Sequence, residues 1–82
     1  MAKGINVILK QENNLYSNDQ YGYLAHEEGN SLIIKSHRTG EVVRLGSEGN
    51  GFVREDKWKG LARTFLVTYT NNGDLRLKVT VI

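Results

Sequence analysis

Residues 62–82 read ARTFLVTYTNNGDLRLKVTVI, two runs of β-forming residues on either side of a turn. If residues 71–73 form the loop, with Gly73 in a left-handed bulge position, Phe65 lies opposite Val79 and the apolar side chains of both runs share one face. A two-residue Asn-Gly loop would instead mix threonine with aliphatic side chains on each face. The separation of apolar from polar residues therefore favours the three-residue loop and a half-buried antiparallel hairpin.

The upstream sequence repeats this pattern, with short β-forming runs separated by Gly, Asn, Asp and Ser. A Gly29-Asn30 loop fits a type II′ turn and pairs Ala25 with Ile34. A further hairpin around residues 37–40 places the next aliphatic residues on the same face. One apolar core is predicted from these faces, made of Ile5, Val7, Leu9, Tyr23, Ala25, Leu32, Ile34, Val43, Leu45, Phe52, Phe65, Val67, Tyr69, Leu75, Leu77, Val79 and Val81.

The fold predicted from this pattern is a single all-β domain over residues 1–82. Six to seven short antiparallel strands, joined by consecutive hairpins, are expected to form a small barrel or a two-layer sandwich. The chain has no proline to protect a strand edge, and this favours closure into a barrel. No window has apolar residues at helical spacing, so at most one short helical turn is expected, near residues 55–61. Residues 11–20 are expected to form a long polar loop.

Composition excludes several classes of protein. The chain has 82 residues, no cysteine and a net charge of +2, so disulfides and thiolate-bound zinc are impossible. No apolar run is as long as a membrane span and no secretory signal opens the sequence, which predicts a cytoplasmic protein without a membrane partner. The oligomeric state is left open, and no motif is specific enough to indicate a protein family.

Catalysis is not expected from this sequence. The only histidines, His26 and His37, are predicted to lie on the outer face about 13 Å apart, too far to share one metal ion. No serine or threonine has a histidine and an acid within predicted reach. The paired acids Glu27-Glu28 and Glu55-Asp56 fit a turn and a short helical start. We therefore predict no enzymatic activity, no metal site and no cofactor.

The segment around Trp58 carries the clearest signal for binding, because four basic residues surround the only tryptophan. The indole could plug the barrel, anchor a protein interface or stack on a nucleic-acid base. The leading hypothesis is a small protein-interaction module, an adaptor or inhibitor, that uses Trp58 and its basic neighbours or an exposed edge strand. The alternative is an RNA- or DNA-binding barrel with a basic and aromatic surface.

A third hypothesis is capture of a small anionic ligand such as a nucleotide, with the glycine-rich residues 46–51 as a mobile lip. The candidate binding residues for these hypotheses are Lys35, Arg44, Arg54, Lys57, Trp58, Lys59, Arg63, Arg76 and Lys78. The candidate loop contacts are Tyr16, Tyr21, Gly46, Gly49 and Gly51.

Overall fold

The computed structural model describes residues 3–82, which form eight antiparallel strands in a closed barrel. Each strand pairs with the next along the chain, and the last pairs with the first. The strands are β1 (Lys3–Glu12), β2 (Leu15–Asn18), β3 (Tyr23–Glu28), β4 (Ser31–Ser36), β5 (Val42–Glu48), β6 (Gly51–Trp58), β7 (Leu61–Tyr69) and β8 (Leu75–Val81). The predicted all-β barrel is confirmed, with eight strands in place of six to seven. Residues 3–82 contain no helix, so none there has the length and apolar character to cross a membrane.

The β7–β8 hairpin has the register expected from its apolar pattern. Phe65 lies opposite Val79, and the Thr70 N–H donates to the Asp74 carbonyl at 2.9 Å across the three-residue loop. Gly73 has a φ of 84°, the left-handed conformation that favours glycine. The separation of polar from apolar faces therefore predicted this register correctly, against the local preference of Asn-Gly for a two-residue turn.

The β3–β4 hairpin confirms the second predicted register. Ala25 lies opposite Ile34, and of the two loop residues only Gly29 has a positive φ, 61°, as a type II′ turn requires. The next pairing places Val43 opposite Ile34. These pairs bring the aliphatic residues of β3, β4 and β5 onto the inner face of the barrel.

The one short helical turn allowed near residues 55–61 does not form, and the prediction of a single loop over residues 11–20 is wrong. Residues 55–61 are not helical, because β6 and β7 continue to a two-residue turn in which Lys59 and Gly60 have φ of 52° and 81°. Positive φ at both central residues is the type I′ geometry of tight hairpins. Residues 11–20 are not one loop, since they contain β2, whose Tyr16 is buried in the core. In both cases pairing with the neighbouring strands overrides a polar local composition.

The core lies on the inner faces of the strands and matches most of the predicted set. Its buried members are Leu9, Tyr16, Ala25, Leu32, Ile34, Val43, Leu45, Phe52, Phe65, Val67, Leu75, Leu77 and Val79. Ile5, Val7 and Tyr23 are only partly buried and pack against this cluster. Tyr69 was predicted to be buried but is 45% exposed, because its ring reaches the rim of the barrel.

The strands pair unevenly, which gives the barrel two different ends. β1 pairs with β8 through residues 3–9 but with β2 only through residues 10–12. β5 and β6 pair only through residues 46–48 and 51–53. Both gaps lie at the end that carries the β2–β3, β4–β5 and β6–β7 connections, which we call the open end. The opposite end, where the remaining hairpin turns lie, is the closed end.

Candidate functional site

Trp58 lies at the tip of the β6–β7 hairpin, at the open end of the barrel. Its side chain is 38% exposed, and the Arg63 guanidinium carbon lies 4.9 Å from its ring centroid. The Lys59 ammonium lies 5.6 Å from the same centroid. Trp58 therefore packs against the charged Arg63 side chain and stays partly exposed to solvent. Its environment is intermediate between that of the predicted core plug and that of a fully free contact residue.

Arg63 is a buried cation whose charge is neutralised within the barrel. It is 7% exposed and packs 4.6 Å from the Phe65 ring centroid. Its Nε and Nη2 donate to the Asp56 carboxylate at 2.8 and 2.7 Å. Its Nη1 and Nη2 donate to the Glu41 carboxylate at 3.1 and 2.9 Å. Glu41 directly precedes β5, so the contact joins β7 to β5 across the gap between β5 and β6.

These contacts also set the ionisation of the cluster. Hydrogen bonds from Arg63 hold the pKa of Asp56 below its usual value. The Asp56 hydrogen bonds, followed by those of Glu41, raise the pKa of Arg63 despite its burial. Because the donors of Arg63 point at these two carboxylates, it stabilises the open end and leaves little capacity for an added anion.

The other predicted basic residues divide into paired and unpaired groups. Arg54 donates to Asp56 at 3.2 Å and to the Arg44 carbonyl at 3.2 Å, and Arg44 lies 3.7 Å from Glu28. Within residues 3–82, the remaining predicted cations have no carboxylate partner within 4.0 Å. They are Lys35, Lys57, Lys59, Arg76 and Lys78.

The unpaired cations do not converge on one surface. Lys35 lies on β4, whereas Arg76 and Lys78 lie on β8. Since β4 and β8 are four strands apart around an eight-stranded barrel, these residues face opposite directions. Arg76 and Lys78 therefore share one face of β8, Lys57 and Lys59 lie near the tip of the β6–β7 hairpin, and the predicted set is not brought together as a whole.

The predicted glycine-rich lip is a tight hairpin. Gly46 belongs to β5 and Gly51 to β6, and only Gly49, with a φ of 56°, and Asn50 form the turn between them. Gly51 is buried, and a Cβ placed on it would lie 1.8 Å from the Val67 carbonyl oxygen. A glycine is therefore required at position 51, because β6 and β7 approach each other closely there.

The two predicted tyrosine contacts are in different surroundings. Tyr21 lies in the β2–β3 connection, where its ring stacks on Tyr23 at 6.5 Å and on the Arg38 guanidinium at 5.9 Å. Tyr16 is in the core, and its hydroxyl donates to Glu27 at 3.3 Å towards the closed end. The two residues therefore do not frame one binding loop.

Glu27 links two tyrosines at the closed end. Its carboxylate accepts hydrogen bonds from the hydroxyls of Tyr16 and Tyr69. Burial, together with the neighbouring Glu27 carboxylate, raises the pKa of Tyr16 and raises the pKa of Tyr69 to about 12. The folded chain therefore holds the Tyr69 proton more tightly than the unfolded chain does.

This difference predicts a loss of stability in alkali. The contribution of Tyr69 is fully present below its ordinary pKa of 10.0 and is lost as the pH rises through about 12. Tyr69→Phe should therefore flatten the fall in unfolding free energy between about pH 9 and about pH 12, measured by urea titration. Tyr21→Phe, which removes no bond to Glu27, is the matched control. An equally steep fall in the unfolding free energy of the Tyr69→Phe variant would contradict the assignment of this pH dependence to Tyr69.

The uneven pairing leaves several strand segments with an unpaired side among residues 3–82, and the two longest lie on β6 and β1. One is residues 54–58 of β6, which pair only with β7, and the other is residues 3–9 of β1, which pair only with β8. Residues 54–57 are Arg, Glu, Asp and Lys, the charged composition that protects natural sheet edges from association. Residues 4–8 are Gly, Ile, Asn, Val and Ile, with no charge and no proline. Within residues 4–8, the second edge therefore lacks the usual protection.

The backbone groups available on this edge follow from strand alternation. The Ile8 carbonyl accepts a hydrogen bond from Asn18 Nδ2 at 3.0 Å, on the side away from β8. In an extended strand, alternate residues direct their N–H and C=O groups to the same side. Gly4 and Asn6 therefore present their backbone groups to this side as well. The segment therefore offers a partner the N–H and C=O groups of Gly4 and Asn6 and the N–H of Ile8.

A groove of about 490 Å³ lies along this edge. Asn6 and Ile8 line one wall, and Asn18 and Asp19 line the other. An apolar hollow of about 290 Å³ adjoins the start of the edge. Its lining residues are Gly4, Ile5, Val79 and Val81. An extended chain beside β1 would therefore find backbone groups, a groove and an apolar recess in one place.

This edge is the part of the site that sequence reasoning anticipated only in general terms. The relevant signal is the difference in length between β1, with 10 residues, and β2, with 4. The sequence predicts a strand in the first segment, but the short β2 is hidden in a polar stretch. The overhang of β1 is therefore visible only in the assembled barrel.

Comparison of the chain with protein-family models, with curated proteins and with solved structures finds no significant match. Within residues 3–82, no group of three or more His, Asp or Glu side chains could hold a metal ion. The functional interpretation therefore rests on the geometry of the barrel and its unpaired edge.

Proposed function

We propose that this chain is a protein-interaction module that binds an extended segment of a partner polypeptide as an added strand on β1. The observation that carries the proposal is the unprotected edge at residues 4–8, which is uncharged and has no strand on the side away from β8. Main-chain hydrogen bonds supply affinity in this mode of recognition, and pockets for alternate side chains supply specificity.

The contrast with β6 supports binding over accidental exposure. Both edges belong to the open end, where the pairing of β1 with β2 and of β5 with β6 stops short. Only residues 54–57 carry consecutive charges, whereas residues 4–8 carry none. A small barrel without proline has few other ways to prevent association, so an uncharged edge is a surface suited to a partner.

Trp58 supports the same proposal as a secondary contact. It lies on the open end that also carries the free edge, and it retains an exposed surface next to Lys59. Tryptophan is enriched among the residues that dominate protein interfaces. The dispersed unpaired cations give less support to a nucleic-acid surface, because phosphate contacts require a continuous basic stripe.

The test is selection of random displayed peptides on the immobilised chain, repeated with Asn6→Pro and Asn6→Ala. Proline removes the position 6 N–H that faces the groove, and it is tolerated on an unpaired strand edge. Asn6→Ala loses the same side chain but keeps the N–H. We expect at least about a tenfold loss of affinity with proline, the effect of about one hydrogen bond, and about twofold or less with alanine.

Hydrogen exchange gives a second readout without any substitution. The amides of Gly4, Asn6 and Ile8 should exchange faster than those of Ile5 and Val7 in the free chain and slow down when a selected peptide binds. Failure to select any peptide, or equal binding by both variants, would overturn the proposal. Steeply salt-dependent capture of a mixed oligonucleotide instead would favour the nucleic-acid hypothesis.

A further inference from the structure

We infer that the strand taken up by β1 runs antiparallel to it and carries an acidic side chain opposite Asn6, between aliphatic side chains opposite Ile5 and Val7. This inference rests on the proposed function and names the chemistry of the partner. It follows from the side chains that border the two faces of the free edge.

The direction of the added strand follows from β2. β2 pairs antiparallel with residues 10–12 of β1 and ends at Asn18. An added strand beside residues 4–8 would therefore occupy the position that a longer β2 would fill. All strand pairs of the barrel are antiparallel. An antiparallel partner continues the twist and hydrogen-bond pattern of this sheet.

The inner face of the edge is apolar. Directly opposite residues on neighbouring strands project to the same face of a sheet. Partner residues opposite Ile5 and Val7 would therefore project to the inner side, where Ile5, Val79 and Val81 line the hollow of about 290 Å³. Aliphatic side chains there would cover partly buried surface, whereas polar ones would lose water without gaining a hydrogen bond.

The outer face beside Asn6 is basic. Arg76 and Lys78 lie opposite Ile8 and Asn6 on β8, and neither has a carboxylate within 4.0 Å among residues 3–82. Arg76 Nη1 lies 3.5 Å from Asn6 Oδ1, so its guanidinium reaches across to β1. A carboxylate on the partner opposite Asn6 would meet this guanidinium.

The far end of the groove sets a limit on where the acid can lie. Glu12 and Asp19 line the groove beyond Ile8, together with Lys10. A second acidic side chain at that end would meet like charges. The partner's acidic residue is therefore placed opposite Asn6, within reach of Arg76, and not towards the β1–β2 turn.

The experiment is the sequence pattern of the selected peptides, followed by titration of one synthetic peptide and its charge reversal. We expect enrichment of aliphatic–acidic–aliphatic triplets, and about tenfold weaker binding when the central Glu is replaced with Lys, measured by NMR shifts of the β1 amides. Arg76→Gln should reduce this discrimination several-fold. Lys57→Gln, on an unpaired cation of β6, is the matched control and should leave it unchanged.

The outcomes separate the two proposals. Peptides that require the position 6 N–H but show no preference for the triplet, or that bind equally after charge reversal, would overturn the partner chemistry and leave strand addition standing. Peptides that bind regardless of Asn6→Pro, or the absence of any selected peptide, would overturn both.

Discussion

Gly51→Ala is expected to lower the free energy of unfolding by about 3 kcal/mol, at the upper end of the effect of an overpacked site. A Cβ at this position would lie 1.8 Å from the carbonyl oxygen of Val67 and 2.9 Å from its carbonyl carbon. Both atoms belong to the β7 backbone, so no rotamer change relieves the clash and the two strands must separate. A single core of this size supplies only about 3–5 kcal/mol, so the variant should be close to unfolding.

Gly46→Ala is the matched control for this prediction. Gly46 belongs to the preceding strand of the same hairpin, is exposed and has nothing within 4 Å of an added Cβ. Its replacement should change the unfolding free energy by no more than about 0.5 kcal/mol in equilibrium urea titration. Equal effects of the two substitutions would show that β6 and β7 are not so close at Gly51.

Arg63→Met should destabilise the barrel by about 3 kcal/mol at neutral pH, the low end of the cost of breaking a buried ion pair. Methionine fills most of the space over Phe65 but removes the buried cation from Glu41 and Asp56, so that Asp56 keeps only its contact with Arg54. Partial exposure of both carboxylates keeps the expected effect at this lower end. Equilibrium urea titration of both chains measures the difference.

The pH dependence of this difference tests its electrostatic origin. Arg63 lowers the pKa of Asp56 in the folded chain, so this stabilisation is present above the usual value of 3.8 and is lost as the pH falls through the lowered pKa. The difference in unfolding free energy between the Arg63→Met variant and the unchanged chain should therefore become smaller below about pH 4. If this difference in unfolding free energy stays constant in acid, the loss of stability would be assigned to packing alone.

Arg54→Gln is the control for this second prediction. Arg54 also bonds Asp56, at 3.2 Å, but its side chain is 41% exposed. Exposed pairs contribute about 0.2–1 kcal/mol, so this substitution should be much milder than Arg63→Met. A comparable effect of both would mean that Asp56 is held by its surroundings as a whole and not chiefly by Arg63.

The hairpin registers could be predicted from sequence because each strand alternates strictly over a buried face. Shifting Phe65 by one residue against Val79 would move aliphatic side chains to the solvent, so only one register was consistent. The same constraint predicted Ala25 opposite Ile34. Most of the core followed from these pairs, since inner faces of a closed barrel meet in one interior.

The errors occur where alternation is interrupted by polar residues. Asp56 occupies an inner-face position at the open end, opposite Arg63, so this part of β6 was not predicted as a strand. Their burial depends on Glu41, which approaches from the far side of the gap between β5 and β6. A charge that is neutralised by a residue 22 positions away has no local signature.

The types of residue in the candidate site could be predicted from the sequence, but the location of the site in the barrel could not. Trp58 and its basic neighbours were identified from composition, and the structure places the indole over Arg63 at the open end. Of the candidate cations, Arg76 enters the proposed site only because β8 returns to pair with β1. That pairing joins the two ends of the chain and cannot be read from either end alone.

Sequence by itself determined the alternation of faces, the turn residues such as Gly29 and Gly73, and hence an all-β barrel or sandwich with its local registers. These features depend on residues a few positions apart, where side-chain period and backbone φ are set by residue type. Tertiary structure alone decided how far each pair of strands extends. β1 pairs with β8 along residues 3–9, but β2 is too short to cover residues 4–8 on the other side of β1. This difference in strand length creates the free edge on which the proposed function depends.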